Sequence, residues 1–119
     1  MKNRNSGAEM ELLAYEAAKL IPKRNPLFAR AVHARKDGEL DVNGTDMLVF
    51  LSNYFAVPFQ VKTWVSQKSR RGKIIREHYR KYPHIILLFV RREQDIRKLS
   101  VHIENIVLRL IKKRRIPVP

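Results

Sequence analysis

An α/β domain with a mixed central sheet is what this sequence predicts, and three observations predict it. Two long stretches, one near each end of the chain, carry apolar residues at the helical period. Between them lie four strand-length stretches rich in Val, Ile, Leu and Phe. A further short helical stretch separates the third strand from the fourth, and a crossover of that kind lets two strands run parallel. The expected order is helix, three strands, helix, strand, helix.

The first residues are polar, and the chain is expected to be loose as far as Ser6-Gly7. Ser6 with Glu9 three positions later has capping-box spacing, so a helix is expected over 8–21, stopping before Pro22. Lys23-Arg24-Asn25-Pro26 is a turn. Residues 28–35 alternate apolar and polar, the period of a half-exposed strand. Lys36-Asp37-Gly38-Glu39 and Asn43-Gly44 are turn signals. Asp46 to Leu51 is a nearly continuous apolar run, a buried strand broken by Ser52-Asn53. A third strand is expected over 57–64. Pro58 cannot donate to a ladder, so it is expected at the strand's start or at a bulge.

Ser66 to Gly72 reads as a basic loop and 73–81 as a short helix ending before Tyr82-Pro83. Residues 84–91 form a buried strand. The last helix is expected over 95–113, with Ile96, Leu99, Ile103, Ile106, Val107 and Leu110 on one face. A single domain over 8–113 is therefore expected, between short tails at 1–7 and 114–119.

Composition narrows the class. A chain of 119 residues with 45% apolar residues can bury a core of its own. The absence of cysteine excludes disulfides, thiolate zinc sites and cysteine nucleophiles, and it fits a reducing cytoplasm. The longest apolar run, Ile85 to Val90, is far short of the roughly 20 residues a membrane helix needs, and no secretory leader pattern is read. Lys and Arg number 25 against 11 Asp and Glu, a net charge of +14. Such a field attracts polyanions, nucleic acid first among them, although a ribosomal or membrane-surface protein would carry the same charge.

One constellation points to chemistry. Asp46 opens a buried strand directly after Gly44-Thr45, while Gln60 and Lys62 lie two apart on the next strand and share a face. Neighbouring strands would bring the three to one edge of the sheet. A carboxylate with an amide oxygen suits a hard cation such as Mg2+ (or Mn2+). A lysine beside it can orient a water and stabilise charge developing on phosphate.

Gly44-Thr45-Asp46-Met47-Leu48-Val49 and Pro58-Phe59-Gln60-Val61-Lys62-Thr63 resemble the PD-(D/E)XK nuclease superfamily, in particular Holliday-junction resolvases and Mrr-type endonucleases. The family places an acid at the opening of one strand and acid-x-lysine within the next, on a restriction-endonuclease-like αβββαβ core. The resemblance spans about Glu9 to Arg91. Thr45 stands where the family has proline, and Gln60 where it usually has an acid; Mrr-like members carry glutamine there. The resemblance implies Asp46, the Gln60 oxygen and the Val61 backbone carbonyl as metal ligands, with Lys62 positioning the attacking water. A glutamate of the first helix often joins this set. Helical spacing puts Glu9, Leu12, Leu13, Glu16, Ala17 and Leu20 on one face and turns Glu11 away, so Glu9 is the first candidate and Glu16 the second.

Each residue also has a plainer reading. Asp46 could cap the Asn43-Gly44 turn, Lys62 could guard an edge strand, and Glu9 could serve the capping box alone. Glu39 and Asp41 precede Asp46 closely and are expected to be turn acids rather than ligands. The histidines at 33, 78, 84 and 102 lack metal-ligand spacing. From Lys62 to Lys81 the chain is strongly basic, with Trp64, His78 and Tyr79 interleaved. Thr63, Lys68, Arg70, Arg71, Lys73 and Arg76 are the expected nucleic-acid contacts, and Arg70-Arg71-Gly72 would offer backbone amides ahead of a helix. Lys112 to Arg115 form a second basic cluster. The expected function is metal-dependent DNA cleavage, on duplex or branched DNA rather than RNA, with a homodimer compatible with cutting two strands. The alternative is the same fold as a catalytically inactive binding module.

Overall fold

The computed structural model describes residues 6–34 and 43–119. The elements are helix α1 (Ser6–Ala18), a single 3-10 turn (Ile21–Lys23), strands β1 (Phe28–His33), β2 (Met47–Leu51) and β3 (Ala56–Thr63), helix α2 (Lys68–Lys81), strand β4 (Ile86–Val90) and helix α3 (Ile96–Lys112). The sheet has the order β1-β2-β3-β4. β1 and β2 pair antiparallel, as do β2 and β3, while β3 and β4 run parallel. The α/β fold with an αβββαβ core and an added C-terminal helix is the one the element order predicts. The turn signals at 36–39 and the acids Glu39 and Asp41 lie outside the described residues, as do the first five positions and the Ser6 side chain.

The layers follow from strand parity. Met47, Val49 and Leu51 of β2 and Val57, Phe59 and Val61 of β3 are buried together with Met10, Ala14, Ala17 and Ala18 of α1 and Leu99, Ile103 and Val107 of α3. One sheet face thus carries α1 and α3, and the α3 stripe is the expected one. The opposite face carries Gln60, which contacts His78 of α2. The helix of the crossover therefore covers this second face, held there by Gln60, by Ile85 and by the Tyr79 hydroxyl, which accepts from the Leu87 N–H at 3.0 Å.

Three expectations need correction. The buried face of α1 is Met10, Ala14, Ala17 and Ala18, rotated from the predicted stripe; Leu12 is 50% exposed. Small alanines let the helix approach the sheet closely, which a stripe of leucines and glutamates would prevent. α2 begins at Lys68, not Lys73, so residues expected in a loop lie within its first turns. Basic side chains are good helix formers, and their charge was no sign of irregular backbone. Pro58 sits within β3, paired with Leu48; the β3–β4 ladder starts only at Phe59, so Pro58 has a strand partner on one side alone.

Candidate functional site

Asp46 immediately precedes β2, and its backbone already belongs to the ladder. Its N–H donates to the Phe59 carbonyl at 2.8 Å, and its carbonyl accepts from the Ala34 N–H at 2.9 Å. One step beyond the Met47–Phe59 pair, this registers Asp46 against Gln60. The Asp46 carboxylate, 8% exposed, accepts from the Val61 N–H at 2.8 Å through Oδ2. Asp46 thus grips the residue between Gln60 and Lys62, and register sets it beside Gln60.

The turn before Asp46 is shaped by Gly44, at φ +87°. A Cβ there would lie 2.6 Å from the Tyr82 ring, so glycine is required both for the backbone conformation and for the close approach of Tyr82. The Gly44 carbonyl accepts from the Gln60 amide nitrogen at 3.1 Å. The amide is thereby oriented, with its oxygen turned to His78 Nδ1 at 3.0 Å. His78 is buried, and its Nε2 lies 2.6 Å from the Ile85 carbonyl. A chain of polar contacts therefore runs from the Asp46 turn through Gln60 and α2 to the start of β4. Lys62, on the same face as Gln60, is exposed at the strand's far end.

The first helix offers its carboxylates differently from expectation. Glu9 is exposed and pairs with Arg92, beyond β4, at 3.5 Å. Glu16 is half-exposed and pairs with Lys19, just beyond the end of the helix, at 3.1 Å. Glu11, expected to point away, is turned toward the sheet, where its Oε1 lies 3.6 Å from His33 Nε2. His33 stacks on Tyr15 and registers against Met47, next to Asp46. Glu11 follows from the same rotation that buries Met10. His78 had a sequence signal too, since Arg71, Ile74, Ile75, His78 and Tyr82 share one helical face.

Among the basic residues, Lys68, Arg70, Lys73 and Arg76 are exposed on α2. Arg71 is half-buried, with Nη1 donating to the Val65 carbonyl at 2.9 Å and its guanidinium 4.3 Å from the Trp64 ring centre. Arg71 therefore closes the β3–α2 connection besides carrying charge. The expected amide cradle at Arg70-Arg71-Gly72 holds only for Arg70. The Arg71 N–H is spent on the Gln67 carbonyl at 2.9 Å and Gly72 lies inside the helix, whereas Arg70 is in the first turn, whose amides lack intrahelical acceptors. Thr63 is exposed at the end of β3.

The donors present suit a hard cation that keeps most of its waters. Asp46 brings one carboxylate and Gln60 one amide oxygen, and Mg2+ is commonly held by one or two carboxylates together with substrate phosphate. The Gln60 oxygen faces His78, so it would have to exchange that contact to serve as a ligand. Among the described residues no three His, Cys, Asp or Glu side chains converge. Among the same residues no helix is long and apolar enough to cross a membrane. Comparison with known proteins gives no matching family model, curated protein or solved structure.

Proposed function

We propose that this chain is a nucleic-acid-cleaving domain of the PD-(D/E)XK type, acting in the cytoplasm on duplex or branched DNA with Mg2+ or Mn2+. The observation that carries the reading is the contact between Asp46 and the backbone of Gln60-Val61-Lys62. It joins an acid at the opening of one strand to a lysine-bearing element on its neighbour, with an exposed basic helix alongside.

In this reading Asp46 and the Gln60 oxygen would hold the cation, with the Val61 carbonyl available to it. A bound cation would supply charge neutralisation at the phosphate and a more acidic water. The chain's own residues do the remainder. Lys62 positions the water and stabilises charge at the phosphate oxygen. Val61, held by Asp46, fixes the direction in which Lys62 leaves the strand. Gly44 and His78 fix the Gln60 amide. Thr63, Lys68, Arg70, Arg71, Lys73 and Arg76 meet the phosphate backbone. Glu9 joins only by leaving Arg92, and Glu11 is the other carboxylate of α1 that merits testing. A homodimer would place two such sites on opposite strands.

The deciding experiment compares cleavage of supercoiled, linear and four-way-junction DNA with Mg2+ or Mn2+ by the intact chain, Asp46→Asn and Lys62→Ala. Removing Lys62 is expected to lower cleavage by roughly 10²-fold or more without changing the thermal midpoint, because its side chain is exposed. Asp46→Asn keeps an acceptor for the Val61 N–H and so separates loss of chemistry from loss of fold.

A second reading rests on a specific observation. The Gln60 amide is engaged at both ends, by Gly44 and by His78. If the domain only binds, all three proteins will leave every DNA intact in either metal while retaining tight, steeply salt-dependent binding.

A further inference from the structure

The strand that carries Gln60 and Lys62 continues to Trp64, whose N–H donates to the Val90 carbonyl at 3.0 Å and so extends the β3–β4 ladder. Trp64 shares the face of Lys62 by strand parity and is half exposed. Phe89, registered against Lys62, meets the indole edge-on at 6.0 Å between ring centres. Two guanidinium groups lie on the ring, that of Arg71 at 4.3 Å and that of Arg91 at 4.7 Å.

The two arginines are not equivalent. Arg71 is tied down by bonds from Nη1 to the Val65 and Ser66 carbonyls, at 2.9 and 3.3 Å. The Arg91 side chain is exposed, and beyond its stacking on Trp64 it makes no bond to the described residues; its backbone alone is fixed, the N–H on the Gln94 side chain and the carbonyl by the Gln94 N–H. One cation over the indole is thus anchored and the other is displaceable. Beside them opens a groove of about 580 Å³, lined by Trp64, Phe89, Arg91, Gln94, Lys98 and His102.

The groove's charge discriminates between occupants. Glu93 and Asp95 lie on it as well as Arg91 and Lys98. Facing both signs, a bare phosphate gains little. A flat ring with donors and acceptors on its edge suits the walls better, and an aromatic platform with arginine is the usual means of holding an unstacked base. Lys62 lies two residues back, about 6.6 Å along the strand, within reach of the phosphate of such a nucleotide.

The geometry points to a pocket for one unpaired nucleotide, whose base enters between Trp64 and Arg91 while its phosphate lies toward Lys62. A nucleic acid with an overhang, flap or open junction is then preferred to a continuous duplex. This inference rests on the nucleic-acid reading above but not on cleavage.

The chain has a single tryptophan, so its intrinsic fluorescence reports on this site alone. The intact protein is titrated, in chelator to suppress cleavage, with blunt duplex, the same duplex carrying a short flap, oligo-dT, oligo-rU and heparin, with anisotropy of the labelled polyanion read in parallel. Flap and single strands are expected to quench the indole, and blunt duplex and heparin to bind without quenching. Trp64→Ala is expected to lower flap affinity about tenfold and leave blunt-duplex affinity unchanged. Arg91→Ala, at an exposed position, tests the same preference should the tryptophan variant not fold. The two single strands show whether the sugar matters. Equal affinity for flap and blunt duplex, with an unquenched indole, would overturn the pocket and leave nucleic-acid binding standing. No binding of any polynucleotide would overturn both.

Discussion

At the scale of single residues, the placement of the candidate residues was legible where strand spacing decides it and illegible where burial does. Asp46, Gln60 and Lys62 could be read because strand parity fixes which residues share a face, and register only had to place neighbours side by side. The carboxylates of α1 could not, because Glu9 and Glu11 both fit an amphipathic pattern and only packing says which alanine or methionine faces the sheet. Gly44 shows a residue whose role has two causes, a positive φ and the Tyr82 ring against its Cα. Gly44→Ala is expected to destabilise by roughly 2–4 kcal/mol, combining left-handed backbone strain with overpacking. Urea denaturation at constant m-value checks it. Gln60→Glu restores the acid that the nuclease resemblance expects. It also removes the Gln60 donor toward the Gly44 carbonyl, leaving two acceptors 3.1 Å apart. The variant is expected to lose about 1 kcal/mol of stability without metal and to gain at least about tenfold in metal-dependent cleavage. Unchanged cleavage together with stability equal to wild type would contradict both halves of that account.

At the scale of elements, the helices differ in how they are attached. α1 and α3 share the main core, and α3 is further tied to the turn after α1. Glu104 accepts from Arg24 at 2.9 and 2.7 Å and from Asn25 at 2.8 Å. α2 instead meets the sheet largely through the polar contacts of His78 and Tyr79. The sequence anticipated α3 well because a wide apolar stripe is unambiguous, and missed the first turn of α2 because five of its first six residues are polar or charged. α3 also carries the clearest cap. Asp95 accepts from the Arg97 and Lys98 N–H groups at 2.8 and 3.2 Å. These two backbone bonds, Lys98 first, hold its carboxyl below the ordinary value of 3.8. With the folded value depressed, the cap's contribution is complete above the unfolded value and lost as pH falls through the folded one. Asp95→Ala is therefore expected to lower the urea midpoint by a constant amount above about pH 5. That deficit should shrink as pH drops below 3.8. A deficit independent of pH would mean that the residue acts through packing instead.

At the scale of the whole molecule, the question is which face its charge serves. A net charge of +14 on 119 residues guarantees attraction to polyanions but not a location. The basic clusters lie on different elements, although Arg115 lines a cavity that also reaches Tyr79 of α2. The first lies along α2 and beside Lys62 and Arg91. The second, Lys112 to Arg115, closes α3, whose 17 residues span about 25 Å. At physiological ionic strength the screening length is roughly 8 Å, so each cluster acts mainly on the phosphates it touches. The proposed function, with Gln60, Lys62 and Trp64 on the sheet face that α2 covers, favours the first. Substituting Arg70, Lys73 and Arg76 with alanine should then reduce the slope of log affinity against log salt by about 0.9 for each phosphate no longer neutralised, close to three in all. The same treatment of Lys112, Lys113 and Arg115 should weaken binding slightly through net charge and leave the slope nearly intact. The reverse pattern would move the binding face to the far end of α3, away from Lys62, and would separate nucleic-acid binding from the Asp46 site altogether.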